Sequence, residues 1–312
     1  MTLKQTIEAF DILDSAHVTG QIVADLLIDR GLDVMVTPVA GECGSTDVLM
    51  IQVAGTAGKV AGGEAPTLGI IGKLGGIGAR PQVIGLVSDA DGAITAVACA
   101  LKLADMRTNG DRLDGDVVIT THICPNAPVI PHDPVPFMDS PVDNATLIKH
   151  LNRPEMDAIL SVDTTRGNLI LNQRGFAITP TVKEGYVLKV SADLVQIMTT
   201  VRGQPAAVLP ITTQDITPYG NGIYHINSIM QPAIGTDAPV VGVALTAEVA
   251  VPGSASGASQ PADVEQAVRF CVEVAKGFGR GCCDFYDADE FSRLELLYGS
   301  MRHLQTQNQQ SK

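Results

Sequence analysis

Residues 83–106 constrain this chain more than any other stretch. Val83, Ile84, Leu86 and Val87 form a short apolar run that stops at Ser88-Asp89-Ala90-Asp91-Gly92. Beyond it, Ile94, Val97, Ala98, Leu101 and Ala104 recur at helical spacing. The run predicts a strand covered on both faces, and the spacing predicts a helix packed back onto a sheet. Open α/β sheets bind ligands at such a turn, outside the carboxyl ends of their strands. Asp89 and Asp91 are therefore candidate site residues, and either could instead cap the helix.

The same order of apolar run, polar stop and helix repeats along the chain. Strands are expected at 34–39, 47–53, 68–71, 117–121, 158–162, 187–190, 206–211 and 240–245, with the segment AGECGST as a loose connection between the first two. Helices are expected at 2–13, 17–30, 144–151, 192–199, 264–278 and 289–304. No linker of disordered composition interrupts them, so residues 1–305 read as one α/β domain. Its expected architecture is a single mixed sheet in a three-layer α/β/α sandwich, followed by a polar tail at 306–312. Aromatic residues are only 4% with no Trp, so Val, Ile, Leu and Ala must build the core. Residues 125–143 are too rich in proline for a helix or a central strand. They read as an extended excursion carrying Val129, Ile130, Phe137 and Met138, which would expose an apolar patch and predicts a homo-oligomer.

Partners are bounded by charge. A formal net charge of −13 argues against nucleic acid and anionic membrane surfaces. No apolar run is long enough to span a bilayer. The six cysteines show no CxxC spacing, and MTLKQTIEAFDILD carries acids where a signal peptide needs an apolar stretch. A cytoplasmic setting is the expectation.

The chemistry should sit where strand ends converge. Ser88-Asp89-Ala90-Asp91, His122, Asp163 and Gln214-Asp215 each follow an apolar run. Several carboxylates and an imidazole along one edge repel one another unless a cation compensates them, and carboxylates with His suit hard divalent ions or zinc. Nucleophilic motifs are weaker: there is no G-x-S-x-G elbow, Cys124 beside His122 is a lone thiol–imidazole pairing, and Cys282-Cys283 reads as structural. The string GKLGGIGA is neither a phosphate loop nor a dinucleotide fingerprint, and reads as a tight loop with Lys73 as a possible site cation.

The segments TLGIIGKLGGIGARPQVIGLVSDADGAI, GDVVITTHICPNAP, MDAILSVDTTRGN, PTVKEGYVLKVS and TTQDITPYGNGIYHINSIMQP resemble a bacterial and archaeal family of unknown function. More distantly, their order is similar to the co-catalytic zinc aminopeptidases and carboxypeptidases. HVTGQIVADLLIDRG then looks like the N-terminal helix, SDADGAITAVACALKLADM like the bridging-Asp helix and ILSVDTT like the strand ending in a ligand Asp. The resemblance implies a zinc-exopeptidase-like fold without an inserted β domain. It departs at the ligands, since the bridging-Asp position falls on Ser88 with Asp89 next to it. The Glu-Glu position shows His122-Ile123-Cys124, the first His falls near Gly72-Lys73, and the late His on Ser254 or Ser256. Asp163 matches.

The expected function is a metal-dependent, hydrolase-like enzyme acting on a small amide or peptide-derived substrate. Asp89, His122 and Asp163 would hold a divalent Zn, Mn or Co ion, which lowers the pKa of a bound water. Asp91 or His225 would be the base, and Lys73 or Arg166 would receive a substrate carboxylate. The alternative is a peptidase-fold binding protein or complex subunit without hydrolytic activity. A third is an amino-acid isomerase or racemase using Lys73 with His225 or Cys124.

Overall fold

The computed structural model describes residues 2–73, 76–133, 135–251 and 254–306. Of the tail expected at 306–312, residues 307–312 lie outside the described residues, as do Leu74 and Gly75 of the glycine string. In chain order the elements are α1 (Leu3–Leu13), α2 (Gly20–Asp29), β1 (Asp33–Gly41), β2 (Gly44–Val53), β3 (Leu68–Gly72), α3 (Asp91–Thr108) and β4 (Val117–Ile123). Then come β5 (Val129–Ile130), β6 (Phe137–Met138), α4 (Asn144–Leu151), β7 (Ala158–Thr164), β8 (Gly175–Ile178), β9 (Val182–Lys183) and β10 (Tyr186–Val187). The chain continues with α5 (Ala192–Arg202), β11 (Val240–Thr246), α6 (Pro261–Gly279) and α7 (Ala288–Tyr298). Short 3-10 segments lie at Ser88–Ala90, Thr213–Ile216 and Ser228–Gly235.

Nine of these strands form one mixed sheet in the order β1-β2-β4-β3-β7-β11-β9-β10, with β8 also on β11. Its centre is parallel: β3 lies between β4 and β7, and β7 pairs with β11. All seven residues of β4 and of β11 are buried, as expected of strands covered on both faces. On one face α3 packs against β3, β4 and β7, with α1 and α6 against α3. On the other face Thr120 Oγ1 donates to the Leu151 carbonyl at the end of α4, and Ser161 Oγ donates to the Ile229 carbonyl. The expected three-layer α/β/α sandwich is the observed one. No helix among the described residues is long and apolar enough to cross a membrane.

Close packing of α3 onto the strand ends depends on missing side chains. A Cβ on Gly92 would lie 2.3 Å from the Lys73 carbonyl and 2.8 Å from that of Val162, and one on Gly72 would lie 2.4 Å from the Gly92 carbonyl. The helix therefore begins directly above the ends of β3 and β7.

Several expectations need correction. Residues 83–87 are not a strand: Gly85 has a φ of +88°, Ile84 is 89% exposed, and Asp14 Oδ1 accepts from the Leu86 amide. Their apolar composition serves a loop that packs Val87 with Ala79 and Ala255. The strand that feeds α3 is β3, through that loop. Residues 206–211 are flanked and broken by Pro205 and Pro210, which lack the amide a central strand must donate, and only Val208 bridges to Ile178. Residues 188–190 leave the sheet after Val187. AGECGST is a tight hairpin, with Gly41 opposite Gly44. β8 carries no alternation and was not anticipated. The proline-rich excursion closes into the β5–β6 hairpin and is tied back to its own chain, the Ala127 amide donating to the Gly78 carbonyl and the Met138 amide to Ser254 Oγ.

Candidate functional site

The carboxyl ends of β3, β4 and β7 meet beneath the N-terminus of α3. Gly72 stands opposite Val162 in the β3–β7 register, and the Lys73 amide donates to the Val162 carbonyl at 2.8 Å. Lys73 therefore emerges beside Asp163, near the end of β7. Asp89 comes in from above on the 3-10 turn before α3, its amide bonded to the Ser254 carbonyl and its carboxylate accepting from the Ser254 side chain. Lys73, Asp89 and Asp163 are 2%, 3% and 0% exposed. Lys73 Nζ has no hydrogen-bond partner among the described residues, and the Tyr219 ring centroid lies 5.9 Å from it.

Burial dominates the protonation of this cluster. It raises the Asp89 carboxyl well above the usual carboxylate range, with the Asp163 charge adding to the rise. It raises Asp163 to about 6, against the opposing pull of Lys73, of Ser228 Oγ donating at 2.8 Å and of the Thr164 amide at 2.7 Å. It lowers Lys73, while Asp163 and Asp89 act to raise it. Two carboxyls in one site are thus held apart in their readiness to ionise, the arrangement that assigns acid and base roles.

His122 lies within β4, its Nδ1 2.9 Å from Thr46 Oγ1. Thr46 gives its one hydroxyl hydrogen to the Ile123 carbonyl, so Nδ1–H is the donor in this pair. Burial, aided by the Lys73 charge, pushes His122 down to about 4 and keeps the imidazole neutral.

The other candidates fall elsewhere. Asp91 Oδ2 accepts from Arg166 Nε at 3.0 Å and Oδ1 from Ser259 at 2.7 Å. Arg166 also donates to the Thr246 carbonyl and to Asp263. Asp91, expected as the base, and Arg166, expected to receive a substrate carboxylate, are thus partners in a buried ion-pair network. His225 sits on the 217–228 loop, where Nε2 donates to the Thr217 carbonyl at 2.8 Å and the ring meets Tyr219 edge-on at 4.6 Å. It supports Tyr219 and does not join the cluster. Asp215 is buried on the Thr213–Ile216 3-10 segment that precedes this loop, accepting from the amides of Thr212, Ile226 and Asn227. Cys124 Sγ turns to the Ser45 carbonyl and burial raises its thiol, the reverse of what a nucleophile requires.

Among the described residues no group of three or more His, Cys, Asp or Glu is arranged to hold a metal ion. The set Asp89, His122 and Asp163 expected from the sequence is not arranged as such a group. Ser228, Tyr219 and Ser254 are the site residues that the sequence reading missed as contacts. Ser254 had one signal, the late-His position of the resemblance. Ser228 and Tyr219 had none, because only the fold of the 217–228 loop brings them to Asp163 and Lys73.

The architecture recurs in an M17 aminopeptidase from Trypanosoma brucei, at a TM-score of 0.52 and 10% identity over 89% of this chain and 61% of that one. A glutaminyl cyclase from an Acidobacteriales bacterium matches over 90% and 94% of the two chains, at a TM-score of 0.48 and 10% identity. One from Macrostomum lignano matches over 90% of each, at 0.44 and 13%. The chain spans about three fifths of the aminopeptidases' length. No curated protein matches it in sequence. A family model describing a protein of unknown function matches residues 37–308.

Proposed function

The chain belongs to that family, DUF1177, and we propose that it is a hydrolase acting on a small amide or peptide-derived substrate at the Lys73–Asp89–Asp163 cluster. One observation carries this reading: three buried ionisable side chains meet at the carboxyl ends of adjacent parallel strands, one of them an amine without a hydrogen-bond partner among the described residues. Such groups are costly to bury unless they serve one another or a ligand. Above pH 6 Asp163 is ionised and acts as the base that takes a proton from the attacking water. Asp89 keeps its proton and gives it to the leaving nitrogen. Ser228 and the Thr164 amide fix the Asp163 carboxylate, and Ser254 fixes that of Asp89. The divalent ion expected from the sequence lacks a set of three donors here, so no step is routed through it.

The test is a hydrolysis screen of dipeptides, aminoacyl amides and N-acyl amino acids at pH 7.5, with Asp163→Asn as the control. Turnover that Asp163→Asn abolishes supports the reading. A variant as active as the parent overturns it.

A binding role without turnover draws on a different observation. The cluster is closed to solvent, whereas a cleft of about 920 Å³ lies between residues 187–193 and 284–291. Thermal stabilisation by amino acids that are recovered intact would favour that role. Self-association belongs to the proposal as well, since Ile130 and Phe137 of the excursion remain 48% and 40% exposed. Light scattering giving a mass of one chain would remove it.

A further inference from the structure

We propose that the ammonium of Lys73 is the resident cation of this site, standing where the resemblance to zinc peptidases would place a divalent metal. This deepens the hydrolase reading and rests on it only for the role of the ammonium in turnover. The position comes from the strands: Lys73 follows β3 at the centre of the sheet, with Asp163 beside it and Asp89 above. The charge facing it is the Asp163 carboxylate, with the Asp89 carboxyl, which keeps its proton, above. His122 is a neutral neighbour, and Nζ lies over the Tyr219 ring. Asp91 is nearby but neutralised by Arg166.

Donor chemistry favours the ammonium over a metal. A divalent ion of the zinc or manganese kind takes four or more ligands, most of them from protein in a closed site. Here the carboxylates are two, and both already accept hydrogen bonds, Asp163 from Ser228 and Thr164 and Asp89 from Ser254. A third His, Cys, Asp or Glu does not complete the set among the described residues. The ammonium cannot leave its place, because its stem is buried with it at 2% exposure. A metal entering beside it would meet a like charge at low dielectric, where repulsion is strongest.

The arrangement also gives Lys73 something to do. Its hydrogens are not used by any described residue, so a substrate carbonyl oxygen admitted to this closed site would take one without displacing a described contact. An ammonium donating there stabilises the negative charge that develops when water adds to the carbonyl carbon, as preorganised donors do. Asp163 and Asp89 would then handle protons while Lys73 handles charge.

Protein purified without chelator and dialysed separately against zinc, manganese and cobalt tests this by elemental analysis and titration calorimetry. The parent is expected to hold fewer than about one metal per ten chains, and Lys73→Ala to bind zinc at least about ten-fold more tightly, since the carboxylates lose their cation. About one tightly bound ion per parent chain, lost in Asp163→Asn, overturns the inference, as does a folded Lys73→Ala that gains no affinity. If Lys73→Ala does not fold, Lys73→Arg keeps the charge and must fold and remain free of metal. A parent that turns over substrate only with a bound metal refutes this inference and leaves the hydrolase reading standing. A metal-free parent that turns over nothing does the reverse.

Discussion

Asp163→Asn separates charge from hydrogen bonding at the centre of the site. A carboxyl moved by burial to about 6 favours the protonated form in the folded state. The folded chain therefore binds the proton more tightly than the unfolded chain, and stability falls as pH rises through the interval between the unfolded value and 6. At about 1.4 kcal/mol per unit, the ionised Asp163 costs the fold about 3 kcal/mol at pH 7.5, of which about 1.6 is already present at pH 5. Asparagine removes that cost at every pH. It also replaces one acceptor oxygen by a donor, facing Ser228 or the Thr164 amide, for a pH-independent loss of about 1–3 kcal/mol. The net change at a single pH can thus take either sign, but its difference between pH values cannot. Urea unfolding of parent and variant at pH 5 and 7.5 should show the variant gaining about 1.4 kcal/mol on the parent over that interval. A gain indistinguishable from zero would falsify the buried, raised carboxyl. That zero is also what a carboxyl held by Lys73 at or below its ordinary range would give, since it is ionised in both states throughout this interval.

The Asp91–Arg166–Asp263 network predicts that Arg166→Met, which removes the ion-pair partner of buried Asp91 and leaves Asp263 with Arg174 alone, costs about 3–5 kcal/mol. Thermal denaturation with an unchanged midpoint would show that the network is not formed. Gly92→Ala should destabilise by about 1–3 kcal/mol despite the better helix propensity of alanine, because its Cβ would meet the Lys73 and Val162 carbonyls. A stabilised variant in the same unfolding assay contradicts the close seating of α3. Asp215→Ala leaves the Thr212, Ile226 and Asn227 amides without their acceptor and should cost about 3 kcal/mol or more. Hydrogen exchange should then accelerate at Ile226 and Asn227, and protection equal to the parent's would show that other contacts hold the loop.

Periodicity and local chemistry settled the fold class. Continuous apolar runs such as 117–121 and 240–245 can only be strands buried on both faces, and the helical spacing at 94–104 and 264–278 supplies the layers that cover them. Those patterns report burial, which depends on a residue's own face, and so survive without neighbours. Residues 83–87 show the limit: they are buried-looking in composition yet form a loop, because φ at Gly85 and the bonds to Asp14 come from elsewhere in the chain. The site divides in the same way. Asp163 and Asp89 were legible as polar stops after apolar runs, the former also from its place in the resemblance. Their partners were not. Asp91 pairs with Arg166, 75 residues away, and Asp163 with Ser228, 65 residues away. No spacing in the sequence encodes a distance closed by sheet register and loop packing. Whether a carboxylate is a base or half of an ion pair depends on which charge the fold sets beside it, and tertiary structure alone decides that.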